Sequence, residues 1–176
     1  MKIKQNFLAP LHLACSKDEK SKLQYIFFKD SNMYATDAHV LIVQSYDFYC
    51  SVEGKENMEG KAIHRDTFQQ ILKKERVVAT PDGFECYDKG DKVFYPYNEV
   101  KPPNFNMVLG KIKKEGVPVI GIDPRYIEIA AKCLYADNVK QLKFTFSGTQ
   151  QPIKVELVDR DYYSQTAYIM PVLVEK

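Results

Sequence analysis

Tryptophan is absent from this chain, whereas tyrosine and phenylalanine occur 12 and 10 times. An aromatic stock of that kind leans towards strands. Long apolar runs are missing too: nothing approaches the ~18 residues that a membrane-crossing helix needs. Cysteine is sparse, and Cys15, Cys50, Cys86 and Cys133 lie far apart, without a CxxC pair or paired histidines. That spacing is poor for a metal, and nothing at the start reads as a secretion signal. The four are expected to be reduced thiols of a cytoplasmic protein. Nor is charge of one sign in excess, since 25 Lys and Arg face 23 Asp and Glu for a formal net charge of +2. A nucleic-acid partner has to be met by local placement of Lys and Arg, not by bulk charge.

Chemistry-bearing patterns are equally scarce. The sequence has no glycine-rich phosphate loop, dinucleotide fingerprint or metal cluster, and no Ser or Cys in a nucleophile elbow. His12, His39 and His64 fall in different parts of the chain. Asp37 and His39, two apart on a strand, would share a face, but acid–base catalysis needs more positioned groups than that. The chain is expected to be a binding protein without enzyme activity, metal or cofactor.

What is present is order. At 176 residues, 45% apolar and 27% charged, the chain can form one good core or two small packed units. Its focus is the stretch YATDAHVLIV, residues 34–43, read as a strand after the Asp30-Ser31-Asn32 turn. The polar insert Thr36-Asp37-Ala38-His39 interrupts it where an ordinary strand stays apolar, so it should border a loop or a site, or else be an Asp/Thr turn that holds two strands together.

Around that focus the chain spells strand, helix and further strands three times, at a period of roughly 55–60 residues. The first copy has a strand at 2–5, a helix at 7–15 with Phe7, Leu8 and Leu11 on one face, a strand at 23–29 and the focal strand. A polar linker follows at 51–60. The second copy has a strand at 61–64, a helix capped by Asp66 or Thr67 and reaching about Lys74, and strands at 76–80, 84–88 and 92–97 around the Pro81-Asp82-Gly83 turn. After the proline-rich connector at 101–110, the third has a strand at 117–122 and a helix at 125–136. Asp123 caps that helix with Pro124 at its first position, and strands at 140–147, 153–158 and 167–174 complete the copy. The pattern predicts an α+β architecture of three βαβββ units, with antiparallel sheets and helices on one face. Residues 1–110 would form a domain of two units, and residues 111–176 an additional half-domain of one.

Three stretches carry a family resemblance. Thr36-Asp37-Ala38-His39-Val40-Leu41, Pro103-Asn104-Phe105-Asn106-Met107-Val108 and Tyr168-Ile169-Met170-Pro171-Val172 follow one another in order. They resemble the TDGHRL-like strand, the FPDY-x-x-V connector and the terminal V-M-P-M-x-L strand of bacterial DNA polymerase III β sliding clamps. In that family two βαβββ units make a domain, and domains close head to tail into a ring around DNA. The resemblance implies a DNA-clamp fold and a DNA replication processivity factor. It also implies a hydrophobic pocket for a short linear peptide of a DNA polymerase or another DNA-processing partner. Thr36, Ala38, His39 and Leu41 would form one wall, Pro103 and Val108 the floor, and Met170, Pro171 and Val172 the other wall. These side chains suit a peptide groove, since Met170 can pack adaptably, Pro171 is a rigid apolar ledge, and Thr36 and His39 offer polar edges to a peptide backbone. Ala38 and Val40 depart from the family's glycine and arginine.

By the same resemblance, the helices would face the hole of a clamp and touch phosphates without reading sequence. Arg65, Lys73, Lys74, Arg76, Arg125 and Lys132 are the candidates for weak, salt-sensitive contact with double-stranded DNA. Three units rather than six leave one unit unpartnered, with an open sheet edge that recruits a strand or must be protected. One expectation is therefore a homo-oligomer that encircles DNA. The alternative is a monomeric clamp-derived adaptor that binds peptides and does not.

Overall fold

The computed structural model describes residues 10–46, 52–105, 120–134, 141–148, 150–158 and 165–172. The strands among them are β1 (Tyr25–Lys29), β2 (Asn32–Thr36), β3 (Val40–Ser45), β4 (Ala62–His64), β5 (Arg76–Ala79), β6 (Gly83–Asp88), β7 (Asp91–Pro96), β8 (Leu142–Thr145), β9 (Ile153–Leu157) and β10 (Gln165–Ile169). The α-helices among them are α1 (Arg65–Ile71) and α2 (Pro124–Cys133). A seven-stranded antiparallel sheet has the order β4-β1-β2-β3-β10-β9-β8, and a three-stranded one the order β5-β6-β7. The α+β architecture expected from the sequence is the one observed.

The long sheet is built from all three units. β4, which opens the second unit, pairs with β1 of the first, placing Ile63 opposite Ile26. β10, which closes the third, pairs with β3 from Gln165 opposite Gln44 to Ile169 opposite Val40. Strict alternation then sorts the side chains. Ile26, Phe28, Met33, Ala35, Val40, Ile42, Ala167 and Ile169 belong to the main core, whereas Phe27, Tyr34 and Leu41 belong to a second apolar cluster. Helix residues Phe68, Ile71, Ala130 and Cys133 cover the main core, and Val77, Ala79, Phe84 and Cys86 close it from the small sheet. Phe28 meets Phe84 edge-on at 6.0 Å between centroids. Each phenylalanine so buried contributes roughly 1.5–3 kcal/mol.

Several local expectations are corrected. Residues 34–43 are not one strand but parts of β2 and β3, and of the two readings of the polar insert the Asp/Thr turn holds, with Asp37-Ala38-His39 between the strands. The reason is local hydrogen bonding that competes with the ladder. The first helix reduces, within the described residues, to the 3-10 turn Leu11–Ala14. Helix α1 starts earlier than expected, with His64 rather than Asp66 or Thr67 as its cap: His64 Nδ1 accepts from the Asp66 amide at 3.3 Å. The polar stretch at 51–60 is more than a linker, since Val52 and Met58 are buried. Its Glu59 carboxylate accepts from the amides of Asp30 (2.8 Å) and Ser31 (3.2 Å) and from the Tyr46 hydroxyl (2.7 Å). Asp30 and Ser31 both have positive φ, so this carboxylate secures a strained β1–β2 turn. Helix α2 begins as expected, with Asp123 accepting from the Arg125 amide. The strand at 2–5, residues 117–119 of the third unit's first strand and the domain boundary at 110 lie outside the described residues.

Candidate functional site

Two surfaces meet at the turn between β2 and β3. Asp37 Oδ1 accepts from the amides of His39 (2.9 Å) and Val40 (3.0 Å), and Thr36 Oγ1 accepts from the Ala38 amide (3.0 Å). These side chains hold Ala38 at a φ of 78°, in the left-handed region. The polar insert therefore turns its side-chain oxygens on its own backbone.

On the outer side, that turn adjoins the chain's last described segment. The Met170 amide donates to the His39 carbonyl at 2.7 Å, carrying the β3–β10 ladder one step further. Tyr168 stands opposite Leu41 in the same ladder, and Leu41 is in turn opposite Thr36. The proline-rich connector reaches the same sheet at β1 and β2 through Phe105, which stacks on Tyr34 at 4.5 Å and 11° and meets Phe27 edge-on at 5.9 Å. Phe27, Tyr34, Leu41, Ala62 and Phe105 make one buried cluster, with Tyr25, Val43, Val100 and Tyr168 around it. Burial raises the hydroxyl pKa of Tyr34 and of Tyr168; nearby Asp30 and Glu59 add to the first, and Tyr34 to the second.

Of the nine residues expected around a peptide pocket, eight are described. Leu41 is buried; Thr36, Pro103, Met170 and Pro171 are half-buried; Ala38, His39 and Val172 are exposed. Of these eight, Leu41 belongs to the apolar cluster that also holds Phe105 and borders Tyr168, while Val108 falls outside the described residues. Phe105, Tyr34 and Tyr168 were not singled out as site residues by the sequence. The signal available for the two tyrosines is their alternation with core residues along β2 and β10.

On the inner side, the His39 ring turns to α2 and stacks on Tyr126 at 5.5 Å and 16°. Both rings border a cleft of about 520 Å³, lined also by Lys17, Asp37, Arg65, Arg125, Glu128 and Lys132. Three of the six candidate phosphate contacts, Arg65, Arg125 and Lys132, thus come together here. Arg65 donates to the Ser16 carbonyl at 3.1 Å. Arg125 grips Asp123, and Lys132 pairs with Glu128 at 2.6 Å. These contacts hold the Asp123 and Glu128 carboxyls below the usual range, through hydrogen bonds from Arg125 and Lys132. Surface pairs of this kind are worth little, so the cations can exchange partners readily.

The other three candidates lie elsewhere. Lys74 pairs with Asp88 of the small sheet at 3.9 Å. Arg76 is held by Glu53 and lies over the Tyr87 ring at 5.3 Å. Lys73 is near His12, whose pKa is lowered by burial first and then by Arg65 and Lys73. Cys15, Cys86 and Cys133 are free and buried, and burial pushes Cys86 up to about 11 and Cys133 up to about 12. Among the described residues no three His, Cys, Asp or Glu side chains gather as a metal site. No helix among them is long and apolar enough to cross a membrane.

No protein-family model and no curated protein sequence matches the chain. Solved structures do. A DNA polymerase sliding clamp from Bacillus subtilis superposes with a TM-score of 0.67 at 11% identity, over 98% of this chain and 61% of that one. The sliding clamp of Caulobacter crescentus gives 0.66 at 13% identity, over 94% and 63%. The DNA polymerase III β subunit of Thermotoga maritima gives 0.64 at 11% identity, over 98% and 63%. The chain has the sliding-clamp fold, and it spans about three fifths of the length of these clamps.

Proposed function

We propose that this chain is a clamp-type processivity module that holds a short linear peptide of a DNA polymerase or other DNA-processing protein on the outer β3–β10 seam. The observation that carries this reading is the bond from the Met170 amide to the His39 carbonyl, which aligns the Thr36–Leu41 turn with Met170 and Pro171. Tyr168, opposite Leu41 in the same ladder, supplies a half-buried aromatic face beside it, backed by the buried cluster that includes Phe105. A peptide aromatic or leucine finds apolar contact there, and the rim carries the polar edges of the turn. The role is that of a binding protein without catalysis.

The inner cleft supports the second half of the reading, contact with double-stranded DNA. Lys17, Arg65, Arg125 and Lys132 face Asp37 and Glu128 there, an excess of positive charge facing one opening. Phosphate contacts of this kind are independent of sequence and weaken as salt rises.

Titration of a labelled Gln/Leu-rich peptide ending in an aromatic residue tests the seam. Binding should be saturable and weakened by Met170→Ala. Absence of binding, or binding indifferent to that change, removes the peptide reading. Duplex DNA anisotropy at low and high salt tests the cleft, and binding that salt leaves unchanged counts against it.

A further inference from the structure

His64 does more than cap α1: it closes a chain of three hydrogen bonds that runs from the loop before β1 to the helix. Gln24, in the 3-10 turn Lys22–Gln24, donates its side-chain amide to the Glu19 carbonyl at 2.9 Å. That leaves its Oε1 facing His64 Nε2 at 2.9 Å. An amide oxygen only accepts, so the ring proton sits on Nε2 and Nδ1 is bare. The bare Nδ1 is what accepts from the Asp66 amide at 3.3 Å. The orientation of one glutamine thus fixes the tautomer, and the tautomer makes the cap.

Other elements hold the ring with uncharged groups. Tyr25 of β1 meets it edge-on at 5.3 Å, and Asn98, beyond β7, accepts from the His64 backbone amide at 3.0 Å. The charges come from α1 itself. Asp66 Oδ2 lies 3.8 Å from Nδ1, and Arg65 Nε donates to Asp66 Oδ1 at 3.3 Å. Arg65 also holds the Ser16 carbonyl through Nη1 at 3.1 Å and borders the cleft. Farther out, His12 on the turn Leu11–Ala14 feels Arg65, Asp66 and Lys73, and burial followed by the two cations lowers its pKa. One residue therefore offers His64 two different partners: the Asp66 amide suits the neutral ring, and the Asp66 carboxylate suits the charged one.

We propose that His64 is a pH-sensitive latch, which passes from the Asp66 amide to the Asp66 carboxylate when it takes up a proton. With Nε2 already protonated, the second ring proton lands on Nδ1, where it meets the Asp66 N–H head-on. Two donors cannot share that bond, so the cap opens. The carboxylate beside it accepts the new N–H and is drawn away from Arg65. The first turn of α1 loosens, and Arg65 keeps only its hold on Ser16 at the rim of the cleft. Imidazoles make this change of charge between about pH 5 and pH 8. The latch does not depend on the peptide or DNA reading, because both of its states are made of this chain's own residues.

Nitrogen-15 NMR on the full chain, with amide hydrogen exchange, tests it from about pH 8 down to about pH 5. At the alkaline end the His64 ring should carry its proton on Nε2 alone. As His64 titrates, protection of the Asp66 amide should fall about fivefold, the loss of one helix cap, while the Ala167 amide in β10 keeps its protection. His64→Asn, which keeps a capping oxygen but does not titrate, should hold the Asp66 amide steady throughout. Asp66→Asn removes the anion that favours the charged ring, so the His64 midpoint should move to lower pH. His12→Gln should leave the transition in place. A proton on Nδ1 at the alkaline end, an Asp66 amide indifferent to the titration of His64, or a midpoint unmoved by Asp66→Asn overturns the proposal. So does a transition that vanishes with His12→Gln. Loss of protection at Ala167 with the same midpoint is unfolding and overturns it too. Should His64→Asn fail to fold, the wild-type ring and the Asp66 amide still decide.

Discussion

Gln44 and Gln165 stand directly opposite each other across the β3–β10 seam, both almost wholly buried. Neither side-chain amide has a hydrogen-bond partner among the described residues. A buried polar group left unsatisfied costs roughly 1–3 kcal/mol. The Gln44→Met/Gln165→Met double variant should therefore unfold at higher urea, with a gain of about 1–3 kcal/mol. A thermal melt should rise by about 2–4 °C for each kcal/mol gained. A double variant no more stable than its parent would show that the amides pair in solution.

The β2–β3 turn gives two changes of opposite sign. Ala38 sits at a φ of 78°, where a Cβ is strained by about 1–2 kcal/mol. Ala38→Gly relieves that strain but frees the unfolded chain, for a net gain of about 0.5–1 kcal/mol. Asp37→Ala removes the acceptor of two amides and should cost about 1 kcal/mol or more. Urea titrations of the two single variants check both signs.

Acid should loosen the β1–β2 turn through Glu59. Burial pushes its carboxyl up, but the Tyr46 hydroxyl and the Asp30 and Ser31 amides outweigh that and leave it below the ordinary value of 4.5. The folded form thus holds its proton less tightly than the unfolded chain. The stability this contributes is fully present above pH 4.5 and is lost as pH falls through the lower folded value. Glu59→Gln should be less stable at neutral pH and lose less on acidification, so the two stability curves converge at low pH. Parallel curves would remove Glu59 as the cause.

Phe105 is tied to the sheet by its ring contacts with Tyr34 and Phe27. Truncation to alanine should cost about 3–5 kcal/mol if the connector cannot collapse into the gap. Phe105→Leu should cost less and keep the fold. Denaturant midpoints for both, read beside peptide affinity, separate the packing of the cluster from its use as a binding surface.

Much of this arrangement was legible in the letters, for reasons that lie in particular residues. Asp123-Pro124 marked the start of α2, because a carboxylate cap and a proline at the first position are local devices. The turn Pro81-Asp82-Gly83 set off β6 in the same way. The Asp/Thr turn at Thr36–His39 was open to reading from its side-chain acceptors, but its left-handed residue is Ala38 rather than glycine, so the run also read as continuous strand. Of the first helix only the 3-10 turn Leu11–Ala14 is described; Phe7 and Leu8, which set its helical spacing with Leu11, lie outside the described residues. Pairing of β10 with β3 joins segments more than a hundred residues apart, and such pairing leaves no periodic trace. The grouping of Arg65, Arg125 and Lys132 was likewise invisible, since the helices that bring them together belong to different units.

The β3–β10 joint is made of peptide groups, which every residue other than proline carries alike. Side chains along it need only suit the main core on one face and the smaller apolar cluster on the other; their identities are otherwise free to drift. A shape secured in that way can persist while nearly nine letters in ten are replaced, as the 11% identity to the Bacillus subtilis clamp illustrates. A change of letters along such a joint thus erodes recognition by sequence while the fold stays recognisable.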